Sequence, residues 1–157
     1  VNGYDAFSLG LTLRDHHGHL LPVMLESFGD WASPLLTYLT VPFVRLLGLT
    51  VVAIRLPVAL LGIAAVPLLY ALVRRVCERN DVALIAAAIL TVSPWSIMLS
   101  RWAIPPSIVP FFVILFVLAV LHAAEASVRG PLVRAVRVAL AALAAAALTY
   151  AYPVEKL

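Results

Sequence analysis

Long apolar runs dominate this chain, broken at a few places by short polar stretches. Residues 51–73 are almost wholly apolar and long enough to cross a bilayer, whose hydrocarbon core takes about 20 helical residues. The polar segment Arg74-Arg75-Val76-Cys77-Glu78-Arg79-Asn80-Asp81 follows. Residues 82–99 form a second span, weakened by Ser93-Pro94 near its end. Arg101, Pro105 and Pro106 then punctuate a tight connection to a third span, 107–124. An alanine-rich run over 138–152 makes a fourth. Residues 34–49 are apolar but short, with Pro42 and Arg45 inside, which predicts an interfacial or re-entrant helix.

Residues 1–33 hold most of the polar chemistry: Asp5, Arg14-Asp15-His16-His17-Gly18-His19, Glu26 and Asp30. Phe7, Leu9, Leu11 and Leu13 alternate as in a strand, while Tyr4, Phe7 and Leu11 fit one face of a helix, so periodicity leaves both open. Gly18 and Pro22 mark a turn. The predicted fold is all-α. It is a polytopic transmembrane helix bundle over 51–157, preceded by the 34–49 helix and by an outer-face loop, 1–33, containing short juxtamembrane helices.

Charge gives the bundle a direction. Arg74, Arg75 and Arg79 fall in the loop 74–81, and Arg129, Arg134 and Arg137 in the loop 125–137, together six of eleven basic residues. Short cytoplasmic loops carry such an excess. Two spans separate these loops, so both lie on the same side. The turn at 99–106, the start of span 51–73 and the C-terminal end then share the outer face. If 34–49 does not cross, residues 1–33 join them there.

Composition closes off other classes. The chain is 64% hydrophobic and 12% charged, with a mean hydropathy of +1.05, against about 25% charged in a soluble domain. Too few polar residues remain to coat a soluble core, and lipid is the expected solvent. The net charge of +3 is explained by the arginine loops. No basic patch interleaved with stacking aromatics is present, which argues against nucleic acid. Cys77 is the single cysteine, no Cys/His spacing resembles a zinc site, and no metal ligands are assigned. The chain opens at Val1 inside a polar stretch and closes just after an apolar run, the pattern expected of a piece of a longer protein.

Several side chains are candidates for chemistry. His16, His17 and His19 titrate near neutrality and suit acid–base work or metal ligation, or they form a solvated turn beside Gly18. Asp15 and Asp30 are candidate acids, bases or ligands, and Asp30 equally suits the cap of a helix starting near Pro34. Arg101 lies at the outer edge of the spans beside Trp102. Its planar fork suits a lipid phosphate, and the alternative is an interfacial anchor within a belt formed with Trp95. Arg55, just before Pro57, has the same two readings. His122 reads as structural. No span carries an acidic residue in its interior, which weighs against a proton- or ion-coupled transporter.

Gly3-Tyr4-Asp5-Ala6-Phe7-Ser8, Arg14-Asp15-His16-His17-Gly18-His19-Leu20-Leu21-Pro22 and Ser27-Phe28-Gly29-Asp30-Trp31 follow one another in a telling order. Pro34-Leu35, Tyr38-Leu39-Thr40-Val41-Pro42-Phe43, Arg55-Leu56-Pro57, Leu69-Tyr70-Ala71-Leu72-Val73-Arg74-Arg75, Ser93-Pro94-Trp95 and Ser100-Arg101 continue it. From residue 2 to about 120 this set resembles the dolichyl-phosphate-mannose–protein mannosyltransferase and aminoarabinose-transferase-like family of GT-C membrane glycosyltransferases. Two departures stand out. Ala32-Ser33-Pro34-Leu35 replaces the family's frequent Lys-Pro-Pro-Leu, and Pro105-Pro106 stand where many members carry a second acid.

The resemblance implies a multi-pass plasma-membrane enzyme. It would move a sugar from a polyprenyl-phosphate carrier to a protein, lipid or glycan acceptor at the outer face. The family's catalytic acidic pair falls upstream of Val1, so no catalytic residue is assigned here. Arg101, Asp15, His16, His17 and Asp30 are the expected substrate contacts, membrane lipid is a further partner, and a divalent-cation requirement is left open. The alternatives are a transporter or flippase module for the same lipid-linked sugar, or a non-catalytic membrane subunit.

Overall fold

A computed structural model describes residues 2–14, 17–27, 30–125 and 131–151. Helix α1 covers Asn2–Thr12, and a small antiparallel hairpin pairs β1, Leu25–Ser27, with β2, Asp30–Ala32. Then come α2 (Leu35–Leu47), α3 (Val51–Cys77), α4 (Asn80–Val92) and α5 (Pro94–Arg101). A 3-10 turn (Pro105–Ile108), α6 (Val109–Glu125) and α7 (Pro131–Ala151) complete the chain. The protein is an all-α transmembrane bundle with that one hairpin.

Three helices are long and apolar enough to cross a bilayer, and four if α4 and α5 count as one broken span. In the three single spans at most 17% of the most apolar window is buried inside the protein. Many leucine, valine and isoleucine side chains of these spans, such as Leu60, Ile63, Val113 and Leu143, face outward, which a lipid solvent makes favourable. At 13 residues α2 is about 20 Å long, short of the about 30 Å hydrocarbon core.

Local chemistry explains the boundaries. The Thr50 side chain accepts the amide of Ala53 at 3.2 Å and caps the start of α3. Glu78 ends that helix in the left-handed region. Pro94 has no amide hydrogen, and Ser93 before it is extended, so α4 and α5 meet at 55° instead of continuing. Helix α7 begins at Pro131, seven residues before the start read from the apolar run, so Arg134 and Arg137 lie inside the helix rather than in the loop. A proline at the first helical position needs no amide partner, and helices readily start there.

The N-terminal segment is helical, but its buried face is not the aromatic stripe. Asp5, Ala6, Leu9 and Gly10 point inward, while Tyr4 and Leu11 are 60% and 68% exposed. Small residues set this choice. A Cβ on Gly3 would meet Ile54 at 2.4 Å, and one on Gly10 would meet the Arg45 side chain at 3.1 Å. Helix α1 thus lies close on α2 and the start of α3 through its small residues, as membrane helices do.

Two clusters of buried residues define the interior. Leu36, Val58, Ile108, Phe112 and Ala151 join the starts of α2, α3 and α6 to the end of α7, and Ala6, Val44 and Ala53 join α1, α2 and α3. The hairpin loop is tied to that same end. Tyr38 Oη donates to the Pro22 carbonyl at 2.9 Å, Tyr150 Oη donates to the Val23 carbonyl, and Ser33 Oγ donates to the Tyr150 carbonyl. The opposite end gathers Arg75, His122 and Arg137.

Candidate functional site: a cleft between two arginines

Arg101 is the last residue of α5, and Arg55 lies in the second turn of α3. The two helices approach closely because Gly62 faces Ser100. A Cβ on Gly62 would sit 3.0 Å from the Ser100 Cβ. That approach sets Arg55 and Arg101 on one open cleft of about 450 Å³, with Trp102, Ile54 and Ile104 in its walls. Both arginines are exposed. A second hollow of about 430 Å³ lies on the far side of Arg101 and Trp102, bounded by Pro94 and Met98. Gly3 packs on Ile54, so the first turn of α1 borders the same cleft.

His17 and His19 sit on a separate turn that does not line this cleft. Arg14 and Leu20 form a bridge, Arg14 Nη1 donates to the Gly18 carbonyl at 2.9 Å, and Gly18 turns at φ +89°. This closes the turn that carries His17 and His19, whose rings are exposed with centroids 6.3 Å apart. Asp15 and His16 lie outside the described residues. Asp30 opens β2 opposite Ser27, and its side chain is also outside the description. Just before α2 the Ser33 hydroxyl accepts the Leu35 amide at 3.2 Å. Among the described residues no loop candidate lines the Arg55–Arg101 cleft, and no three His, Cys, Asp or Glu side chains converge as metal ligands.

Sequence reasoning underrated three positions. Arg55 carries two readings from sequence, a phosphate contact or an anchor, and is absent from the expected substrate contacts, yet it shares a cleft with Arg101. The signal was available, since charge parity already put the start of α3 and the turn after α5 at one level. Asp5 was noted as polar without a role and proves fully buried on the inner face of α1. Nothing in the local pattern marked that face, because it consists of small residues. His122 was read alone, and it bridges two arginines from other helices.

Span-length helices with outward apolar faces define an integral membrane protein, and one end of the bundle carries a cleft lined by two exposed arginines. The class sharpens on comparison. A family model described as dolichyl-phosphate-mannose-protein mannosyltransferase matches residues 12–151, and the chain belongs to that family of membrane glycosyltransferases. No curated protein and no solved structure matches the chain.

Proposed function

We propose that this chain is the donor-binding part of a membrane enzyme that moves a sugar from a polyprenyl-phosphate carrier to a protein, lipid or glycan acceptor. The transfer takes place at the outer face of the plasma membrane. The observation that carries the reading is the cleft shared by Arg55 and Arg101. Transfer releases the carrier's phosphate, and negative charge grows on it as the glycosidic bond breaks. Two guanidiniums lining one cleft would stabilise that charge more than they stabilise the ground state, which is what accelerates the step. Their planar forks match a phosphate in a way an ammonium does not. The polyprenyl tail lies against the outward apolar faces.

A general base must take the acceptor's proton. The family resemblance sets an acidic pair a few residues before Gly3, upstream of Val1, and Gly3 packs on Ile54 at the border of the arginine cleft. Acids there would stand next to the phosphate site, with the base on one side of the sugar and the cations on the other. Asp15, His16, His17 and Asp30 are proposed as contacts to sugar or acceptor on the loop above. Residues 1–33, the turn after α5 and the end of α7 would then share the outer face, with α2 as an interfacial or re-entrant helix.

The test is the transfer rate per correctly inserted molecule of the full-length enzyme. Arg101→Ala should lose about 2–4 kcal/mol of transition-state stabilisation, and Arg101→Lys should recover little of it. An interfacial anchor behaves differently: lysine serves nearly as well, and loss appears as poor insertion. Full turnover by Arg101→Lys would sink the phosphate-fork role. A transporter would carry the lipid-linked sugar across without linking it to an acceptor, so the acceptor product itself separates the two activities.

A further inference from the structure

Helices α6 and α7 leave between them a third hollow, of about 460 Å³, that the transfer site does not use. Its walls are apolar, with Leu115 and Leu118 from α6 facing Leu140, Leu143 and Ala147 from α7. Polar groups occur at one end only, where His122 and Arg137 close it. From Phe112 to His122 the hollow follows α6 for ten residues, about 15 Å. That length is half the about 30 Å hydrocarbon core, the reach of one acyl chain in one leaflet.

The closed end is an ordered cationic cluster. Arg137 Nη1 donates to the His122 carbonyl at 3.2 Å, and Arg75 Nη1 lies 3.1 Å from His122 Nε2. A guanidinium can only donate, so Nε2 is the acceptor. The ring proton then sits on Nδ1, which donates to the Leu118 carbonyl at 2.8 Å. His122 is therefore a neutral spacer holding two guanidiniums from α3 and α7 in place.

We propose that this hollow seats one acyl chain of an anionic phospholipid, with its phosphodiester held by Arg137 at the end of the bundle opposite the Arg55–Arg101 cleft. Charge complementarity selects the occupant. An apolar trough of single-leaflet length, ending in fixed cations at headgroup depth, matches a lipid phosphate, and basic pockets between membrane helices take anionic headgroups in this way. A lipid with no net charge brings its own cation to the cluster and binds more weakly. The bound lipid ties α3, α6 and α7 together at their less covered ends. The inference needs only the membrane assignment and is independent of what the Arg101 cleft holds.

The experiment uses the full-length protein in nanodiscs of phosphatidylcholine, with or without phosphatidylglycerol, and reads two signals. One is the thermal unfolding midpoint. The other is labelling by phosphatidylglycerol carrying a photoreactive acyl chain. Phosphatidylglycerol should raise the midpoint, and the label should fall on α6 and α7 peptides. Arg137→Gln should weaken labelling by about tenfold or more, the loss of one charge-assisted contact. Leu143→Trp should block it with both arginines intact, while Arg134→Gln, whose side chain does not line the hollow, should leave it unchanged. The proposal is overturned if phosphatidylglycerol labels these peptides equally in wild type and both hollow variants. It is also overturned if a photoreactive polyprenyl phosphate displaces phosphatidylglycerol from them, or if wild type shows neither label nor shift because a protein segment fills the trough.

Discussion

Replacing Gly62 by alanine puts a methyl carbon 3.0 Å from the Ser100 Cβ and 3.9 Å from its Cα. Carbon atoms rest at about 3.5–4.0 Å, so the pair is too close by about half an ångström or more. Neither atom is the free end of a flexible side chain. Relief must come from α3 and α5 moving apart. Two effects oppose each other in stability: alanine gains about 1 kcal/mol of helix propensity over glycine, and overpacking loses about 1–3 kcal/mol. The net loss is on the order of 1 kcal/mol, so the protein should still insert and fold. Function is the sharper reporter, because Arg101 directly follows Ser100. A misplacement of about 1 Å in a group that aligns a reacting phosphate costs about a hundredfold in rate. Gly62→Ala should therefore lower the transfer rate of the full-length enzyme by about tenfold to a hundredfold, with a much smaller change in unfolding midpoint. The double variant Gly62→Ala/Ser100→Gly removes the opposing carbon and should recover most of the rate, a coupling that distant sites do not show. Ile63→Ala, on the outward face of α3, is the control and should leave turnover intact. If Gly62→Ala and Gly62→Val both insert normally and turn over at the wild-type rate, close approach of α3 and α5 does not position Arg101.

Two further tests address placement. Cys77 is exposed at the end of α3 beside Arg74 and Arg75, so a membrane-impermeant thiol reagent should modify it only after cells are opened. Labelling in intact cells would reverse the proposed orientation and put the histidine turn inside. Tyr38→Phe removes the hydroxyl that holds the Pro22 carbonyl, a loss of about 1 kcal/mol, and should speed proteolysis within residues 13–25 without altering helix content. Unchanged cleavage kinetics would mean that this bond does not hold the loop down.

Apolar run length carries the spans in this sequence, because a membrane helix satisfies its own backbone and needs only an apolar exterior of sufficient length. Span 51–73 appears as α3, and 107–124 as the 3-10 turn with α6, within a few residues. Even the break at Ser93-Pro94 is written locally, since proline cannot continue the hydrogen-bond ladder. The ordered residue set was enough to point to the mannosyltransferase family. Which side chains meet was not legible. Tyr4 and Leu11 look like a buried stripe and face outward. The small face of Gly3, Ala6 and Gly10 buries instead, because it lets backbones approach. Helix rotation, and with it the pairing of Arg55 with Arg101 and the bridging of Arg75 and Arg137 by His122, depends on contacts between residues more than 40 positions apart or on different helices. A periodic apolar pattern is compatible with many rotations of each helix, and only the packed bundle selects one.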